Sequence, residues 1–240
     1  MKKGIVLKIS GEALAGENGI GISQEKVNQV AEEIKELYNE GGIELSVVVG
    51  AGNIFRGRDA ISHGMNRSSA DYMGMLATIL NALALQSALE NLNLDTRVMT
   101  SLSIPQVAEP YIRRKALSHL EKDRIIIFGG GNGIPYFSTD TTAVLRAAEL
   151  DADLILMAKN GVDGVYDKDP RKDKTAKKFK HLTHQQVVEK NLKVMDMTAA
   201  ALCTENNIDV YVFDMNKKGN IAAAAKDFSF GTLISNKEQK

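Results

Sequence analysis

Glycine follows an apolar run at three places in this chain: Lys8-Ile9-Ser10-Gly11-Glu12, Gly50-Ala51-Gly52-Asn53 continuing into Ile54-Phe55-Arg56-Gly57, and Gly129-Gly130-Gly131-Asn132-Gly133. Glycine tolerates positive φ and lets backbone N–H groups approach an anion closely, and a helix starting just beyond adds a favourable dipole. One such turn is ordinary turn chemistry. Three on one edge suit a long anionic ligand. Lys8 would point from the end of the first strand into that crevice, and Arg56 offers a phosphate a fixed fork of donors; either side chain could instead snorkel to solvent. Asp140 opens a helix expected over Thr141 to Leu150, as an N-cap or as a site carboxylate. Asp196, in Lys193-Val194-Met195-Asp196, is ambiguous in the same way.

Other chemistries find less support. No G-x-x-x-x-G-K-[ST] loop is present. Gly50-Ala51-Gly52 imitates a dinucleotide fingerprint, but Asp71, at the spacing of a ribose-binding acid, falls inside a long helix rather than at the end of a second strand. His181 and His184 share an H-x-x-H spacing without carboxylate or thiol companions, so they read as solvated and no metal set is expected. The single Cys203, in an apolar helical stretch, reads as a buried thiol of a reducing cytosol. Lys168, Arg171, Lys172, Lys174, Lys177, Lys178 and Lys180 form either a solvated loop or a field that draws an anionic nucleotide toward the crevice.

Positioning such groups requires strands whose carboxyl ends lie side by side. Short runs that are apolar almost throughout recur at Ile5 to Ile9, Leu45 to Val49, Thr96 to Met99, Ile125 to Phe128, Leu154 to Met157 and Val210 to Phe213, as strands covered on both faces should be. Between them lie helical spacings. Ser23 caps a helix that runs to Gly41-Gly42, and a Met-, Leu- and Ala-rich helix spans about Ser68 to Asn91, suited to a central or subunit-interface position. The alternation predicts an α/β fold, an open, mostly parallel sheet flanked by helices on both faces, with ligands beyond the strand carboxyl ends. A Gly-, Asp- and Lys-rich insertion at Lys159 to Leu182 breaks the pattern. At 240 residues one domain is expected, with lobes at about 1–150 and 151–240. Thirty basic and thirty acidic residues cancel, so neither nucleic acid nor a membrane surface is the expected partner. Met1-Lys2-Lys3-Gly4 leads into too short an apolar run for a signal peptide or membrane span.

The ordered set Lys8-Ile-Ser-Gly-Glu-Ala-Leu, Gly50-Ala-Gly-Asn-Ile-Phe-Arg-Gly, Gly64-Met-Asn-Arg, Asp71-Tyr-Met-Gly-Met-Leu-Ala-Thr, Gly131-Asn-Gly-Ile-Pro-Tyr-Phe-Ser-Thr-Asp, Asn160-Gly-Val-Asp-Gly-Val-Tyr and Lys193-Val-Met-Asp resembles the bacterial UMP kinases of the amino acid kinase superfamily. The resemblance spans Lys8 to Ile234. It implies the amino acid kinase fold and transfer of the ATP γ-phosphoryl group to UMP, with Mg2+ carried in by the nucleotide. It assigns Lys8, Ile9, Ser10, Gly11, Gly52 and Arg56 to the ATP phosphates, and Asn160, Tyr166 and Asp169 to the adenosine side. UMP is expected against Ala51, Asp71, Asn132, Gly133, Ile134, Pro135, Tyr136, Phe137, Ser138 and Thr139. It further implies a cytoplasmic homohexamer responsive to GTP and UTP, with Gly16, Glu17, Asn18, Gly19, Ile20 and Gly21 as the GTP-response loop. Ala51 stands where many relatives have glycine, which disfavours positive φ there. Lys159-Asn160-Gly161 looks like the Gram-positive version of its segment, with an Asn and one extra residue where other relatives show Thr.

Phosphoryl transfer needs in-line positioning and charge neutralisation more than a base, because an acceptor phosphate oxygen is already anionic. Lys8 and Arg56 are therefore expected to stabilise the transferring group, Asp140 to order the cations and Asp196 to organise the site. Two rivals remain at this level: a relative acting on a carboxylate or carbamate, and a nucleotide-sensing regulator without catalysis.

Overall fold

A computed structural model describes residues 2–192 and 194–236, the side chain of Arg58 excepted. The first half of the chain runs β1 (Lys3–Ile9), a 3-10 turn (Gly11–Leu14), α1 (Gln24–Asn39), β2 (Ile43–Val49), α2 (Gly57–Ser62), α3 (Arg67–Asn91), β3 (Thr96–Thr100), β4 (Glu109–Pro110), α4 (Arg113–Glu121), β5 (Ile125–Gly129) and α5 (Thr139–Glu149). The second half runs β6 (Leu154–Lys159), β7 (Val165–Tyr166), β8 (Lys178–Phe179), β9 (His181–Leu182), α6 (His184–Glu189), α7 (Met197–Asn206), β10 (Asp209–Asp214), α8 (Asn220–Ala223) and β11 (Thr232–Ile234). Among the described residues, nine strands form one sheet in the order β4-β3-β5-β2-β1-β6-β10-β11-β9, and only β10 and β11 pair antiparallel. β7 and β8 form a separate hairpin in the insertion.

The six apolar runs are the six longer strands, and two-fold alternation along each splits its side chains between two cores. Ile5, Leu7 and Ile9 of β1 face α1, α3 and α8 together with Leu154, Leu156 and Ala158 of β6. Val6 of β1 and Ile155 and Met157 of β6 face the other side, where α4, α5 and α7 pack. Each fully buried Ile or Leu contributes roughly 2 kcal/mol against leaving it exposed. Ser23 accepts from Lys26 N–H at the start of α1, as the sequence predicts, and Gly41 and Gly42 adopt φ +76° and +68° beyond its end. The helix expected from Thr141 begins two residues earlier, because Ser138 rather than Asp140 is its cap: the Ser138 hydroxyl accepts from Asp140 N–H and Thr141 N–H.

His181 and His184 are a second correction. His184 is 3 % exposed in the first turn of α6, where burial holds its pKa below the ordinary value, and His181 is half-buried in β9. Docking of this segment against β11 and Asn236 covers them, and nothing in their neighbours in sequence foretells it. α3 has the length and hydropathy of a membrane span, yet Ala82, Leu85, Ala88 and Leu89 on one side of it lie in the core.

Candidate active site

Parity along two adjacent strands builds the centre of the site. Lys8 continues the Val6 face of β1, and Lys159 continues the Ile155 and Met157 face of β6, so both lysines emerge on the α5 side of neighbouring strand ends. α5 points its first turn at them. Asp140 meets the Lys8 ammonium at 2.5 Å through Oδ1 and accepts from Lys159 Nζ at 3.1 Å through Oδ2. Burial pushes the Asp140 pKa up, but the two ammonium groups outweigh it and hold the carboxyl at about 2. Burial lowers the Lys159 pKa, against the pull of Asp140, and Lys8 adds to the lowering. Sequence reasoning missed Lys159 as a charged member of the site. The signal existed: like Lys8, it sits at the carboxyl end of a continuous apolar run.

Asp196 stands one layer back. It caps α7 through Ala199 N–H and accepts from the hydroxyls of Ser138 and Thr141, so one carboxylate ties the N-termini of α5 and α7 together. Lys193, in the motif that contains Asp196, lies outside the described residues.

The glycine turns serve different ends. A Cβ on Gly11 would lie 2.5 Å from Gly50 O and 2.6 Å from Asn53 Oδ1, so this glycine is required by close approach of two turns. Ala51 needs no positive φ, which explains how its methyl is accommodated. Gly130, Gly131 and Gly133 do adopt positive φ, as does Tyr136. The turns interlock through Asn53 and Asn81, both fully buried, which exchange side-chain hydrogen bonds while Asn81 also donates to Gly50 O. Asn53 holds the Gly16–Gly21 loop as well: its amide donates to Gly21 O, and its carbonyl accepts from Gly21 N–H. Within that loop Glu17, Asn18, Gly19 and Ile20 are exposed.

Arg56 lies at the rim, donating to Gly52 O and pairing with Glu12 at 3.0 Å. Glu12, unassigned from sequence, also accepts from the Asn160 amide. Ile9 presents no side chain to the crevice: it is fully buried, and its carbonyl accepts from Gly50 N–H. Ser10 precedes the 3-10 turn without capping it through its side chain.

Two cavities gather residues expected at the site. One, of about 150 Å³, brings together Ala51, Gly52, Asp71, Asn132, Ile134, Phe137, Ser138 and Thr139 with Thr78 and Gly131. Gly133, Pro135 and Tyr136 are not among its lining residues; Tyr136 instead donates its N–H to Asp71, which Arg67 also pairs. The other, of about 510 Å³, gathers Tyr166 and Asp169 with Val162, Lys168, Arg171, Lys190 and Leu192. The Tyr166 hydroxyl donates to Asp163, and that bond together with burial pushes its pKa up to about 12. Asn160 lies apart from this cavity, between Glu12, Asn216 and Arg171.

Comparison with known proteins shows the family. The model of the amino acid kinase family matches residues 3–214. The chain belongs to the amino acid kinase family. It is similar to the uridylate kinase of Limosilactobacillus reuteri, 59% identical over 96% of this chain and 95% of that one, and to that of Onion yellows phytoplasma, 57% identical over 99% and 98%. The solved UMP kinase of Bacillus anthracis superimposes with a TM-score of 0.93 at 42% identity, covering 98% of this chain and 97% of that one. In this amino acid kinase the buried carboxylate with two lysines therefore sits on the family's sheet at its strand carboxyl ends, where an open α/β sheet places its ligands.

Proposed function

We propose that this chain transfers the γ-phosphoryl group of ATP to UMP, giving UDP and ADP. The Lys8–Asp140–Lys159 cluster carries the reading, because two of its members lie close in sequence to residues that line the two cavities. Asp140 follows directly on Ser138 and Thr139 of the smaller cavity, and Lys159 lies just before Val162 of the larger one. Two ammonium groups held by one ionised carboxylate stabilise charge on a transferring phosphoryl group without a general base, since the acceptor oxygen is already anionic. The Lys8–Gly11 turn, Gly52 and Arg56 hold the donor phosphates, and Tyr166 and Asp169 take the adenosine. Asn160 braces the donor side through Glu12. Asp71 accepts from ribose hydroxyls, and the segment from Asn132 to Thr139 reads the uracil. Mg2+ enters as the counter-ion of ATP and neutralises phosphate charge there.

The resemblance extends the proposal to a cytoplasmic homohexamer in pyrimidine and CTP synthesis, with GTP and UTP as effectors and Gly16–Gly21 as the GTP-response loop. The Asn53 contacts support a link from that loop to the phosphate turn, and the exposed Met73, Leu76 and Leu80 of α3 suit a subunit contact. A coupled ADP-release assay tests the core of the reading. ADP should form with UMP and not without it; release with acetylglutamate, aspartate or carbamate instead, or with no acceptor at all, overturns it.

A further inference from the structure

Arg146 is a cationic side chain in the interior, 3 % exposed, about two turns along α5 from Asp140. Its guanidinium stacks over the Tyr111 ring at 3.6 Å, with Phe128 at 5.5 Å, and donates through Nη1 to Glu149. Tyr111 also donates its hydroxyl to Glu149, and the Arg146 Nε finds no partner among the described residues. Burying an ion pair rarely stabilises a fold more than apolar residues of the same volume would. What a leucine could not do is make the last contact: Arg146 Nη2 donates to Ser101 Oγ at 2.7 Å, and Ser101 Oγ donates to Gly131 O at 2.8 Å.

We propose that Arg146 is a positioning residue for acceptor-base specificity, acting through the Ser101 hydroxyl on the Gly130–Gly133 loop. The logic is one of donors and acceptors. Guanidinium is donor-only, so the hydroxyl proton cannot turn toward it and is directed at the Gly131 carbonyl. That carbonyl belongs to a loop with positive φ at Gly130, Gly131 and Gly133, where rotating one peptide costs little. The loop is pinned from three sides: Thr78 Oγ1 accepts from Gly130 N–H, Ser101 holds Gly131 O, and the Ser101 backbone and Cβ lie against Gly133. Gly131, Asn132 and Ile134 line the smaller cavity, and the Asn132 side chain accepts from Ile134 N–H. A turned Gly131 peptide would re-aim those groups at the base.

The inference rests on the smaller cavity being the acceptor site, so the wild-type enzyme's turnover of UMP and CMP is measured first. Ser101→Ala removes one hydroxyl and should raise KM for UMP about ten-fold and shrink the UMP-over-CMP ratio of kcat/KM to a similar extent. KM for ATP and kcat should stay within about two-fold. Ser101→Thr, which keeps the hydroxyl, should restore both. Arg146→Met, which removes the donors, should match Ser101→Ala, and the double variant should be no worse than either single one, as for two groups acting in series. Unchanged KM and base preference in Ser101→Ala would overturn the proposal, even where Arg146→Met fails to fold. Wild type that ignores UMP would refute the acceptor assignment instead.

Discussion

At the scale of single residues the site is a charge balance around Asp140. Lys8 and Lys159 reach it from adjacent strands, and neither ammonium is replaceable by a neutral group of similar length without altering the other two charges. Lys8→Ala should lower kcat by about a hundred-fold or more while KM for UMP moves only a few-fold, in steady-state kinetics with UMP varied, because the lost interaction belongs to the transferring group. The pH behaviour has a definite sign. The Asp140 carboxyl is held at about 2 in the folded chain against an ordinary 3.8, so the unfolded chain takes up its proton first as pH falls. Its contribution to stability is therefore complete above about pH 4 and is lost as pH falls toward 2. Asp140→Asn should remove that part of the acid dependence. It should also cost about 3 kcal/mol at neutral pH, read by urea unfolding, because two lysines are left without their shared counter-charge.

At the scale of elements, the decisive fact is how closely the first two strand-end turns approach. Gly11 packs its α-carbon against Gly50 O and the Asn53 side chain, with Asn81 of α3 bonded across both. A methyl there has nowhere to go, since the nearest atom is backbone. Gly11→Ala should destabilise the fold by about 3 kcal/mol in denaturant unfolding and depress turnover along with it. The α5 N-terminus is the other working element. Its cap Ser138 is bonded to Asp196, so the helix that aims Asp140 is itself held by the helix behind it.

At the scale of the molecule, β1 is the seam: it pairs with β2 on the side of the smaller cavity and with β6 on the side of the larger one. α3 buries one side in the core and leaves Tyr72, Met73, Leu76 and Leu80 exposed, Leu80 at 52 %. An apolar patch of this kind on a helix supports the proposed subunit contact. Replacing Leu76 and Leu80 together by Glu should shift the enzyme to smaller species in sedimentation velocity while leaving the far-ultraviolet circular dichroism unchanged.

The longer strands were legible because strands covered on both faces are apolar at almost every position, and Ile125 to Phe128 or Leu154 to Met157 are short β-branched or apolar runs of strand length. The helix from Ser23 was legible through its cap and spacing, and the one ending at Asn91 through its Met-, Leu- and Ala-rich length. Lys8, Arg56 and the turns could be picked out because glycine, charge and strand ends coincide in the local sequence, Asp140 because it opens a helix, and Asp71 only through the family resemblance. Tertiary structure alone decided the rest. β4, β7, β8, β9 and β11 are two or three residues long and exist only because a neighbour offers its edge. Pairing of Ile9 with Ala158 sets Lys159 beside Lys8, though the two lie far apart in the chain. His184 is buried by docking, and Arg146 reaches Ser101 across a packed core. Local spacing reports which residues a strand or helix can present, whereas which of them meet is set by register and packing between distant segments.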